Sequence, residues 1–98
     1  MNVHVDLRLA PPVSGGHKDE DLIAFATYCV ARISRGLSGI DRWDVFVLGG
    51  LDGRSDALVR AHIGASQIEA RASENDPANA IWNAMCSVEQ PLRYAAAA

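Results

Sequence analysis

The sequence holds no apolar run approaching the ~18–20 residues needed to cross a bilayer. Its opening residues, Met1-Asn2-Val3-His4-Val5-Asp6, alternate polar and apolar instead of forming a charged and then apolar leader. A membrane partner is therefore not expected, and a cytoplasmic protein is. Cysteine is scarce and badly placed for ligation. Cys29 and Cys86 show neither CxxC nor zinc-finger spacing and sit among apolar neighbours in helix-like stretches, so both read as buried, reduced thiols. Positive charge is short as well: nine Lys and Arg against twelve Asp and Glu leave a net charge of −3, whereas a dedicated phosphate binder usually carries a cationic excess. Catalytic signatures are missing. The histidines are scattered, no serine or cysteine stands in an activated motif, and Asp19-Glu20-Asp21 reads as a helix first turn rather than an acid/base pair. Leu48-Gly49-Gly50-Leu51-Asp52-Gly53 lacks the Gly-Lys-Ser/Thr ending of a phosphate loop and reads as a hairpin connection. No enzyme activity, metal or cofactor is expected.

What is present is an ordinary globular composition, 49 % apolar and 21 % charged over 98 residues. A chain of this length makes one small domain that buries something over ~60 % of its unfolded surface. The expectation is a single domain over residues 1–94 with a frayed tail at 95–98. Val3, Val5, Leu7 and Leu9 alternate with polar residues, as in a strand with one buried face, and Pro11 to Gly16 break it. Leu22, Phe25, Ala26, Cys29, Val30, Ile33 and Leu37 recur at three- and four-residue steps. That spacing predicts a helix over about 18–38, ended by Gly36 and Gly39. Three strands follow, Trp43 to Leu48, Asp56 to Ile63, and one in which Ile68, Ala70 and Ala72 alternate with Glu69, Arg71 and Ser73. Short turns between them imply an antiparallel meander. Asn75-Asp76-Pro77 opens a second helix, with Ala78, Ile81, Met85, Val88 and Leu92 as its apolar stripe and Pro91 expected to bend or end it. The predicted class is α+β, ordered β-α-β-β-β-α: a four-stranded mixed sheet with both helices packed on one face.

From the third strand onward the chain resembles the ribosome hibernation-promoting factor family, which includes the ribosome-associated translation inhibitors. The resemblance rests on Ser55-Asp56-Ala57-Leu58-Val59, on Gly64 followed by Ile68-Glu69-Ala70, on Asp76-Pro77-Ala78-Asn79-Ala80-Ile81, and on Val88-Glu89-Gln90-Pro91-Leu92-Arg93. The spacing of Leu22, Phe25 and Ile33 matches too. The likeness spans nearly the whole chain, mostly through core and turn residues. It implies a protein that binds the small ribosomal subunit, at the rRNA of the tRNA/mRNA channel, and inhibits translation or promotes hibernation under stress. It implies further that Lys and Arg on the helices make the contacts. This chain departs from the family in the second helix, where Ser87 and Gln90 replace a Lys and an Arg.

The candidate rRNA-binding residues are Lys18, Arg32, Arg35 and Arg42, with Arg93 from the second helix. Arg32 and Arg35 are three apart and share a helix face, although solvated, dipole-compatible helix charges explain them equally well. Trp82 is the candidate for a protein partner or for self-association; the competing reading lays it across the edge of the core. His4, Asp6 and His62 on neighbouring strands offer metal-ligand chemistry, but cross-strand ion pairs account for such a face and no metal is assigned. Two functions remain: a ribosome-associated inhibitor, and a protein-interaction module of the same fold that no longer binds rRNA.

Overall fold

The computed structural model describes residues 4–10, 19–35, 37, 39–49 and 54–97, with backbone alone at 4–10, 19 and 95–97. The loop expected at 11–16, the helix-ending Gly36, the turn at 51–53 and Lys18 lie outside the described residues. The elements are β1 (His4–Ala10), α1 (Asp19–Ser34), β2 (Ile40–Gly49), β3 (Ser55–Ile63), β4 (Ser66–Glu74) and α2 (Pro77–Ala97).

β2, β3 and β4 form an antiparallel meander in which every second residue turns to the helices. The rows Trp43–Ala61–Ile68, Val45–Val59–Ala70 and Val47–Ala57–Ala72 run straight across the sheet. Trp43, Val45, Val47, Val59 and Ala61 in these rows are fully buried. Each fully buried Val contributes roughly 1.5–3 kcal/mol relative to exposure. α1 closes this layer with Leu22, Ala26, Cys29, Val30 and Ile33, and α2 with Ala80, Ile81, Ala84, Met85, Val88 and Leu92. Asp76 caps α2: its carboxylate accepts the Asn79 N–H at 3.1 Å and its carbonyl the Ala80 N–H at 3.0 Å. Pro77 follows at the first helical position, where a missing N–H costs nothing.

The expected four-stranded mixed sheet has to be restated. The body of the fold is a three-stranded antiparallel sheet with two helices in the order α-β-β-β-α, and all the described core side chains come from it. β1 joins this body at one edge through backbone pairing, parallel to β2 from His4↔Arg42 to Ala10↔Leu48. The physical reason lies in connectivity. The β3–β4 pair closes through a two-residue turn at little loop entropy, whereas β1 arrives by a long crossover.

Element ends also differ from expectation. α1 stops at Ser34, where the Leu37 N–H bonds the Ser34 carbonyl at 3.0 Å, and Gly39 takes φ +89° to enter β2. β2 therefore begins at Ile40, ahead of Trp43. α2 passes through Pro91 to Ala97. Pro91 and Ser87 are both exposed, so water can take the Ser87 carbonyl that the proline leaves without its helical donor.

Candidate functional site

Two polar surfaces stand on opposite sides of the molecule. The first is the exposed side of the helix pair. Arg32, near the end of α1, places its guanidinium carbon 4.9 Å from the centroid of the Trp82 ring and an Nη 3.9 Å from Oε1 of Glu89. From α2, Arg93 donates to Oε2 of the same Glu89 through Nε at 3.1 Å and Nη2 at 2.7 Å. One carboxylate thus joins two arginines on different helices, and the cluster keeps a positive excess. Arg35, in the turn after α1, is exposed on this chain's cationic helix end. Trp82 is half-buried, 6.3 Å from Phe25 and tilted 36° to it. The ring therefore lies across the edge of the core under Arg32, rather than standing free.

The second surface is the sheet face away from the helices. Its centre is Asp44, only 1 % exposed. Arg42 donates to it through Nε at 2.9 Å and Nη2 at 3.2 Å, His62 Nε2 lies 2.8 Å away, and an Arg60 Nη 4.0 Å away. Burial works to raise the Asp44 pKa, but the hydrogen bonds and charges of Arg42 and His62 outweigh it and hold the carboxyl below its ordinary value. Arg60 also binds Glu69 at 3.1 Å on β4. Arg42 consequently belongs to the sheet face, since Trp43 beside it points into the core. It is separated from Arg32, Arg35 and Arg93. Next to the Asp44 cluster is an open concavity of about 730 Å³, lined by Phe46, Leu58, Arg60 and Arg71 among others.

Sequence reasoning missed Glu89 and Asp44 as the centres of these surfaces. The four-residue spacing of Glu89 and Arg93 was the available signal for the first. For Asp44 the local signal was Arg42, two residues earlier on the same face of β2, whereas His62 and Arg60 reach it only through the β2–β3 register. Among the described residues no three His, Cys, Asp or Glu gather as a metal site, and His62 is engaged by Asp44. Burial raises the Cys29 thiol to about 11 against a smaller opposing effect of Arg32, so it stays protonated and unreactive. No described helix is long and apolar enough to cross a membrane.

No protein-family model matches this chain, and no curated protein matches it in sequence at a significant level. Solved structures do. A ribosomal subunit interface protein from Coxiella burnetii superposes with a TM-score of 0.76 at 16 % identity, over 97 % of this chain and 99 % of the other. The N-terminal domain of Protein Y from Thermus thermophilus gives 0.75 at 15 % identity, over 96 % and 98 %. Both are of the hibernation-promoting factor family. At such identities the likeness is one of fold, and it is at the level of fold, over nearly the whole chain, that the resemblance read from the sequence is met.

Proposed function

We propose that this is a ribosome-associated protein of the cytoplasm. More specifically, it binds the small subunit through rRNA of the tRNA/mRNA channel and restrains translation, as an inhibitor or a hibernation factor under stress. A shared fold does not by itself carry function. The observation that carries this reading is the pairing of that fold with arginines gathered on one side of the helix pair. Arg32 and Arg93 share a single carboxylate, and Arg35 is exposed three residues beyond Arg32. The Arg32 guanidinium, held over the Trp82 ring, is pre-positioned for phosphate oxygens, so little of its side-chain freedom is lost on binding.

Each phosphate contact contributes roughly one unit to the salt slope. With so few cations, association should be weaker and less salt-dependent than that of a strongly basic binder. Co-sedimentation with ribosomes and with separated subunits, at low and at near-physiological salt, tests the reading. Recovery with the small subunit at both salts is expected; absence from every ribosomal fraction at low salt would overturn it. The second reading, a protein-interaction module of this fold, draws on Glu89 partly neutralising both arginines and on the net charge of −3. It is favoured if ribosome binding is absent.

A further inference from the structure

The outer edge of β4 carries an inference independent of the ribosomal reading. β4 is the last strand of the sheet, and among the described residues nothing pairs with its outer side. Its register with β3 is unbroken from Ser55↔Glu74 to Ile63↔Ser66. No proline or bulge blunts it, although natural edges usually carry such devices.

The turn fixes which backbone groups point outward. Gly64 has φ +57° and no non-glycine residue among those described has positive φ, so Gly64-Ala65 is a two-residue type II′ connection. Ile63 and Ser66 then form a mutually hydrogen-bonded pair. The antiparallel alternation directs the N–H and C=O groups of Ser66, Ile68, Ala70, Ala72 and Glu74 to β3, and those of Gln67, Glu69, Arg71 and Ser73 outward. Arg54 Nη2 takes the Ser73 carbonyl at 2.8 Å. Gln67, Glu69 and Arg71 are left to present an open ladder.

We propose that this edge pairs antiparallel with the same edge of a second copy of the chain, about a two-fold axis at Ala70. In that register Ala70 faces Ala70 of the second copy, and Glu69 and Arg71 face each other twice. The residues whose backbone groups point outward become the hydrogen-bonded pairs. Charge specifies the same register. Arg71 is exposed and makes no ion pair among the described residues. Glu69 keeps 43 % of its side chain exposed beside Arg60, and a carboxylate accepts from more than one guanidinium. Sliding the axis to position 69 or 71 would set Glu69 against itself or Arg71 against itself, which like-charge repulsion disfavours. An edge charged only to repel copies would carry one sign, not a self-complementary pair.

The helix layer permits the approach. Asn83 of α2 donates to Glu74 at the end of β4 at 2.6 Å, which sets this part of α2 beside the edge, and Ser87 and Tyr94 follow Asn83 on the same helix face. A two-fold axis normal to the sheet brings two such faces side by side. Ser87 on this face is small and exposed, and Tyr94 is 74 % exposed.

Sedimentation equilibrium of the full chain across a wide concentration range tests the proposal, with far-UV circular dichroism checking that each variant is folded. The wild type should show a monomer–dimer equilibrium. Arg71→Glu should weaken it by about tenfold or more, because two attractive cross-strand pairs become repulsive. Glu69→Arg with Arg71→Glu should restore it. Arg71→Pro, which removes an outward N–H and no intramolecular bond, should also weaken it and serves if the charge variants do not fold. A wild type that stays monomeric near millimolar concentration overturns the proposal. So does a dimer indifferent to Arg71→Glu, or one that the double exchange fails to restore.

Discussion

The two polar faces of this protein use arginine in opposite ways. On the sheet face the charges turn inward: Arg42, Arg60 and His62 converge on Asp44, a carboxylate almost wholly removed from water. On the helix face two arginines share Glu89, and all three groups keep contact with solvent, Arg32 at 43 % and Arg93 at 54 % exposed. A buried carboxylate must be satisfied within the protein or it costs stability. An exposed pair contributes little to stability and leaves its arginines able to exchange partners. The first arrangement holds the sheet together, and the second is suited to meeting a polyanion.

That contrast breaks in measurable ways. Trp82→Ala should have the largest effect, about 2 kcal/mol by urea denaturation and so below that of a fully buried ring, because it removes the half-buried ring packed against Phe25 and the support beneath Arg32. A loss below about 0.5 kcal/mol would mean that the ring contributes no packing.

Asp44→Asn should cost about 1–2 kcal/mol, since it keeps the shape but removes the charge that Arg42 and His62 address. The same group gives a pH signature. Its native pKa lies below its ordinary value, so the stabilisation is fully present above the unfolded pKa of about 3.9. It is lost as the pH falls through the native value. Acid titration of stability should therefore be shallower in Asp44→Asn than in the wild type; parallel curves would remove Asp44 from the account.

Glu89→Gln should change stability least, by under about 1 kcal/mol, because its pairs are exposed. Its effect belongs to binding. By releasing Arg32 and Arg93 from their shared carboxylate it should let ribosome association survive to higher salt, and a weaker association would reverse the role given to Glu89.

The parts legible in the sequence are those in which one residue's environment follows from its near neighbours. The alternation of Ala57, Val59 and Ala61, the stripe of Ile81, Met85, Val88 and Leu92, and the Asp76-Pro77 cap each declare themselves within a few residues. The end of α1 was less legible, because the apolar spacing runs on to Leu37 after the helix has stopped at Ser34. Of the two outcomes expected at Pro91, a bend or an end of the helix, the end is overturned: packing of Val88 and Leu92 on either side carries α2 through it. The candidate site was half legible. Arg32 and Arg93 share a face only because α1 and α2 pack together, and Arg42 leaves them because strand parity turns it to the far side of the sheet. Asp44, with partners two and eighteen residues away, could be recognised as their common centre only once the register of β2 and β3 was known.

The assignment of the helix face as the ribosome-facing side is tested most directly by co-sedimenting two variants with small subunits at near-physiological salt. One carries Arg32→Glu and Arg35→Glu together, and the other carries Arg60→Glu on the sheet face. The account predicts loss of binding in the first and near-wild-type recovery of the second. Retained binding in the first, or loss confined to the second, would contradict it.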